Sequence, residues 1–296
     1  MEAKVVDILS VAFERARIIC FERFDPNKWL AMSLASWLAW LGSSSVNFNL
    51  PGGSGDLPEI PQEGYDWLLE HGPWIVAGGV SVALVVTVLW LVLTWLRSRG
   101  QVMFIDLITH DSAAVGQSWS AQGPLANDLF KVRVGIDLIA SVVMLIPTGA
   151  TIALALSSRP SSLEPLLVPL LLSGGVIAVV GLIWSIVTFV LDEMVVPIAY
   201  AWRVPIREAF PELRRMASDT PGSLLTYLLV RFFAAFVVAL FAFVLSCLLC
   251  VVSWLPFISA VLLLPLRVYL QSLPLAFLHQ LNPEAYSMFG PLPREG

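Results

Sequence analysis

Five charged side chains fall inside, or at the edge of, apolar runs long enough to cross a membrane: Asp137, Asp192, Glu193, Arg231 and Arg267. Placing charge in hydrocarbon costs at least ~2.5–3.5 kcal/mol, so such residues pair, line a cavity or carry function. Arg231 shares a helical face with Ala235, Ala239, Ala242 and Ser246. Small residues on one face let a neighbouring helix approach, so Arg231 is expected to point inward and to meet an acid there. Asp192 and Asp137, at similar depth, are its expected partners. Arg267 stands two residues after Pro265, with Gln271 one turn further on. Pro265 removes a backbone donor and marks either a helix break at a cavity or a tolerated kink. Two readings of these residues stay open. One is ion pairs that pin helix registry; the other is a polar cavity for an ion or an anionic lipid headgroup.

Other chemistry finds no matching pattern. His71, His110 and His279 sit in separate segments without metal-ligand spacing, so neither a metal nor a cofactor is expected. The chain has no Gly-rich phosphate loop and no Gly-x-Ser-x-Gly. Cys247 and Cys250 have the spacing of a redox pair but none of its surroundings, and are read as packing residues. With Cys20 they do not make a disulfide framework. Basic residues occur in ones and twos, a distribution that suits lipid headgroups and not nucleic acid. No catalytic residues are assigned, and the chain is expected not to be an enzyme.

The elements that must position these charges are membrane helices. Of 296 residues, 57% are apolar and only 13% charged, against about 25% charged in soluble domains. Apolar runs of 18 or more residues recur, the length that crosses about 30 Å of hydrocarbon. The expected fold is all-α: one bundle (29–290) of about six transmembrane helices, at about 29–48, 74–95, 134–156, 166–191, 224–250 and 257–278. Residues 1–28 read as an amphipathic helix lying at the interface, with Val5, Leu9, Ala12, Ala16 and Ile19 on one stripe. The charged leader before Trp29 is too long for a cleavable signal.

Charge orients the bundle. Lys4, Arg15, Arg17, Arg23 and Lys28 precede the first run, whereas 43–73 is acidic, rich in Gly, Pro and Ser, and lacks Lys and Arg. That asymmetry decides for a crossing at 29–48 over a re-entrant hairpin, and puts both termini in the cytoplasm. The connections 100–133 and 192–221 then lie inside, and Arg159 is the one external basic residue. Span four carries Gly174, Gly175, Ala178 and Gly181, a face open to close helix packing.

The segments AFERARIICFERFDPNKWLAM, RSRGQVMFIDLITHDSAAVGQSW, LDEMVVPIAYAWRVPIREAF, PGSLLTYLLVRFF and LLLPLRVYLQSLPLAFLHQLNPEAYSMF carry a resemblance. In that order the chain resembles an uncharacterised bacterial and archaeal multi-span membrane family, a domain of unknown function. It is similar in appearance to the membrane domain found beside some glycerophosphodiester phosphodiesterases. The resemblance implies a polytopic bundle with recurrent positions at Asp106, Asp192, Pro197, Arg231, Arg267 and Tyr269. It implies no hydrolase activity, because the catalytic domain of those enzymes has no counterpart here.

The expectation is a non-enzymatic multi-span scaffold or accessory subunit in the plasma (inner) membrane. Its partners would be the lipid bilayer, anionic phospholipid headgroups and a membrane protein. The alternative is a small transporter or lipid-handling protein whose cavity is lined by Arg231 and Arg267.

Overall fold

A computed structural model describes residues 5–41, 70–158, 166–248 and 256–289, and among these residues all regular structure is helical. The helices are α1 (Val5–Arg17), α2 (Pro26–Trp40), α3 (Gly72–His110), α4 (Val115–Ala121), α5 (Gly123–Ser158) and α6 (Leu167–Val190). They continue with α7 (Val196–Trp202), α8 (Ile206–Asp219), α9 (Pro221–Leu248), α10 (Pro256–Leu262) and α11 (Leu264–Leu281). Wider π-type turns follow α1 (Ile18–Glu22) and α6 (Leu191–Val195), and a 3-10 turn closes the described chain at Ser287–Phe289.

Four helical stretches are long and apolar enough to cross a membrane: Gly72–His110, Gly123–Ser158, Leu167–Trp202 and Pro221–Leu245. They correspond to the second to fifth of the six expected spans. The expected first and last spans take another form. α2 has only 15 residues, about 22 Å of helix, and ends at Leu41, whose ψ of 127° leaves the helical region. The rest of 29–48, and most of the 43–73 loop, lies outside the described residues. The last run is broken: Leu263 interrupts it, and Pro265 sits in the first turn of α11, where its missing N–H is harmless. Of the two readings of Pro265, the helix break is therefore the one present.

The chain divides into two compact units. The first comprises Met1–Gly42, Thr94–Lys131 and Val190–Gly296. Its core is α11, on which α1 packs most extensively. Ile8 and Ala12 of α1 join Met194, Tyr227, Ala234, Leu270, Leu273 and Phe277 in one buried cluster. Tyr227 stacks on Phe277 with ring centroids 4.4 Å apart. Phe13, Phe21 and Phe24 stay exposed. α2 runs antiparallel to the last three turns of α3. Lys28 meets Asp111 at 2.8 Å, and Leu38 meets Gly100. A Cβ at Gly100 would lie 2.5 Å from the Ala39 nitrogen, so only glycine permits this approach. The small buried face of α2 (Ala31, Ser33, Ala35, Ser36) allows equally close packing. Met103, Phe104, Leu107 and Ile108 are all buried, as are Tyr286 and Phe289 near the end of the described chain.

The second unit comprises Ser43–Leu93 and Val132–Phe189. Its described helices are the first part of α3, most of α5, and α6. Trp184 Nε1 donates to Asp137 Oδ1 at 2.7 Å, and the Met144 methyl lies close to Gly181. Pro147 interrupts the α5 ladder, and the hydroxyls of Thr148 and Thr151 donate to the Met144 and Pro147 carbonyls. Almost none of the apolar windows of these helices is buried.

Candidate functional site

The wide turn Leu191–Val195 distributes the charges singled out from sequence. An i→i+5 turn inserts an extra residue and frees a carbonyl, and here it aims two successive acids at two different helices. Asp192 turns to α3: Arg97 donates to its carboxylate at 3.2 Å, and Gln101 Nε2 donates to its backbone oxygen at 3.1 Å. Glu193 turns to α9, where it receives Arg231 in a two-pronged pair, Nε to Oε2 at 2.9 Å and Nη2 to Oε1. The Tyr227 hydroxyl donates to the same carboxylate at 3.2 Å. Arg231 thus does point inward and does meet an acid. That acid is Glu193 and not Asp192 or Asp137, because the wide turn rotates Glu193 toward α9 while Asp192 is held by Arg97. Asp137 belongs to the other unit, where Trp184 occupies it.

Both partners of the Glu193–Arg231 pair are nearly buried, with side-chain exposures of 13% and 10%. A buried pair of this kind contributes little net stability when intact, but leaving one charge alone costs about 3–5 kcal/mol. Arg267 is placed differently. It donates to Ser36 Oγ at 3.0 Å, and its guanidinium lies 5.2 Å from the Trp40 ring centre. Both contacts tie α11 to α2. Gln271, one turn on, is half-buried. The five charges and Gln271 therefore do not converge on one cavity. The three cavities described are lined by neither Arg231 nor Arg267.

A second polar cluster is centred on Asp106, a position that only the family resemblance marks in the sequence. Its carboxylate accepts from Tyr200 OH at 2.6 Å, from Gln122 Nε2 at 3.1 Å and from the Ser118 hydroxyl. His110 stands one turn further along α3, with Nδ1 3.4 Å from Oδ1. Asp106 and Ser118 are buried, so this hub pins α3, α4 and α7 together. Ser118 and Tyr200 both donate to Asp106, and the Tyr200 hydroxyl also lies 3.4 Å from His110 Nδ1.

Beside the hub opens a cavity of about 620 Å³ lined by His110, Gln122, Asp128, Lys131, Tyr200 and Arg203, with apolar Leu125, Val204, Pro205 and Met288. Asp128 Oδ2 accepts from Ile206 N at 2.7 Å and so caps the start of α8. Lys131, three residues beyond Asp128, makes no hydrogen bond or ion pair among the described residues, and neither does the Arg203 side chain. Arg203 ends α7 in the left-handed region, φ 53°, while Val204 N bonds back to the Ala199 carbonyl. That position is ordinarily glycine, and a side chain there costs about 1 kcal/mol.

A third cluster surrounds Asp111, which also has positive φ (48°) at the end of α3. Lys28 and Arg23 pair with it at 2.8 and 3.4 Å. Its charge also acts on buried Arg15. Burial lowers the Arg15 guanidinium to about 10, with Asp111 opposing the shift. The basic leader that sequence reading assigns to headgroups is in part neutralised by this aspartate. Asp106, Asp111, Asp128, Tyr200 and Arg203 were missed as site residues. The one local signal is Asp106 and His110 at i,i+4 within an otherwise apolar helical run. Among the described residues, no group of three or more His, Cys, Asp or Glu is arranged to hold a metal ion. Cys247 and Cys250 lie outside the described side chains.

No curated protein and no solved structure matches the chain. A family model does: the family of unknown function DUF7544 matches residues 3–281, nearly the whole length, and the chain belongs to that family.

Proposed function

We propose that the chain is a non-enzymatic multi-span scaffold or accessory subunit of an assembly in the plasma (inner) membrane, with both termini in the cytoplasm. The observation that carries this reading is the exposure of the long apolar helices, three of them largely in the second unit and one, α9, in the first. Four helices of membrane length bury almost none of their apolar windows within the chain. Their cover must come from lipid and from other helices. Gly78, Gly79, Gly149, Gly174 and Gly175 have no atom within 4 Å of where a Cβ would stand, leaving room for a neighbour.

Six crossings belong to this reading: four helices have membrane length, and the basic leader set against the acidic 43–73 loop, which lacks Lys and Arg, supports a first crossing at 29–48. Cleavage by trypsin in right-side-out vesicles tests this topology; a cut at Arg97 or Arg214 from outside overturns it.

The alternative, a transporter or lipid-handling protein built on Arg231 and Arg267, loses support because Glu193 neutralises the first and Trp40 and Ser36 hold the second. Lipid contact itself is favoured at a groove of about 710 Å³ between α1, α9 and α11, lined by Leu9, Phe13, Phe21, Phe233 and Tyr269. Purification in a mild detergent, with identification of what co-purifies, separates the two readings. The scaffold reading expects a stoichiometric membrane protein or a second copy. A monomer carrying only phospholipid, and transporting it between vesicles, sinks that reading.

A further inference from the structure

We propose that the cavity between α4, α5 and α7 is a binding site for a phosphate ester, held by Lys131 and Arg203. Two cations face one concavity, and neither side chain makes a hydrogen bond or ion pair among the described residues. The nearest acid, Asp128, turns Oδ2 away to the Ile206 N–H instead of pairing with Lys131 three residues on. Tyr200 and Gln122 are held on Asp106, so the wall behind the cations is rigid before any ligand arrives. His110 adds a third nitrogen base at the rim, with its side chain 63% exposed. A guanidinium offers a two-pronged fork to phosphate oxygens, and an ammonium offers a point charge; together they suit a phosphate group with at least one ester arm. The cavity falls within the size range of small-molecule sites and has an apolar side (Leu125, Pro205, Met288) for the rest of the ester.

The backbone at Arg203 is a second, independent pointer. A helix that ends in the left-handed conformation is best served by glycine, and this one carries an arginine whose side chain lines the cavity. Strain of that sort persists where a side chain is needed for something else. Two sources supply the same chemistry: the headgroup of a phosphatidic-acid-like lipid, and a soluble phosphomonoester.

The test uses the full chain in mild detergent, with its thermal midpoint read by tryptophan fluorescence. The probes are glycerol 1-phosphate, dioctanoyl phosphatidic acid and, as the phosphate-free control, dioctanoylglycerol. A phosphate-bearing probe at a hundredfold excess over its Kd is expected to raise the midpoint by about 5 °C, and the control to leave it unchanged. A response to the lipid alone assigns the site to a headgroup. A response to glycerol 1-phosphate alone or to both assigns it to the phosphate group itself. Arg203→Gly is expected to raise the ligand-free midpoint, because it relieves the backbone, and to lose the ligand shift. Lys131→Gln should lose most of the shift with the ligand-free midpoint unchanged. No shift with either phosphate probe, or a full shift in both variants, overturns the proposal.

Discussion

The two units of this chain are made from the same amino-acid vocabulary and solve opposite problems. In the first, helices bury polar and charged side chains among themselves: Glu193 with Arg231 and Tyr227, Asp106 with Tyr200 and Gln122, Asp111 with Lys28. In the second, the Asp137–Trp184 hydrogen bond stands among faces of valine, leucine and isoleucine turned outward. Buried polar groups specify one arrangement because each has a single satisfactory partner. Exposed aliphatic faces specify only that something apolar must cover them. The first unit is therefore expected to be sensitive to single substitutions, and the second to be tolerant of them until its surroundings are tested.

The largest difference is expected at the buried pair. Glu193→Ala leaves Arg231 alone in a nearly closed site and is expected to lower stability by about 3–5 kcal/mol. Replacing both residues by methionine should recover most of that loss, since a well-packed apolar pair dispenses with the desolvation of two charges. Thermal unfolding of the three proteins in one detergent measures it. A Glu193→Ala variant as stable as the parent would show that water reaches Arg231.

Cys20 gives the next contrast. It is 1% exposed, and burial pushes its thiol from 9.0 up to about 12, with Lys28 opposing and Asp111 adding to the shift. Only the thiolate reacts, so maleimide labelling at pH 7.5 should be at least about a hundredfold slower than at an exposed Ser120→Cys, with Cys247 and Cys250 replaced by serine. The sign for stability is also fixed. The folded state keeps a proton that the unfolded chain releases above pH 9, so this group contributes a loss of stability as pH rises from 9 toward 12 and nothing below.

Gly100→Ala should cost about 1–3 kcal/mol, because the new methyl meets the main chain of α2 at 2.5 Å and neither helix can shift without disturbing the Lys28–Asp111 pair. Calorimetry or fluorescence melting reads the loss. An unchanged midpoint would mean that α2 is not packed on α3 at all.

What the sequence made legible follows the same division. Runs of apolar residues carry the four membrane-length helices without ambiguity, because length and composition alone decide them. Pro265 announced its helix break for a local reason, the missing N–H. The partner of Arg231 was not legible: a regular helix through Leu191–Val195 would aim Asp192 and Glu193 about 100° apart, and the wide turn changes which one reaches α9. Nor was the burial of Tyr286 and Phe289, whose stacking depends on Tyr200, more than eighty residues earlier in the chain. Polar clusters assembled from distant segments leave no periodicity behind them. Asp106 sits in MFIDLITH, where a single acid in a buried run is the trace, and its partners Ser118, Gln122 and Tyr200 come from two other helices.

The smallest effect is expected where the scaffold reading is most exposed to failure. Nothing lies within 4 Å of a Cβ at Gly174, so Gly174→Leu should leave the stability of the isolated chain within about 1 kcal/mol of the parent, with better helix propensity working in its favour. Asp137→Asn, which keeps an acceptor for Trp184, belongs in the same range. If another helix packs on the glycine face, however, the leucine side chain occupies the space that helix needs. Cross-linking of the Gly174→Leu chain in membranes should then lose a partner band that Asp137→Asn retains, while both proteins melt alike in detergent. If instead Gly174→Leu melts as early as Gly100→Ala, the face is covered from within the chain, and the contrast between a self-sufficient unit and a unit awaiting its cover does not hold.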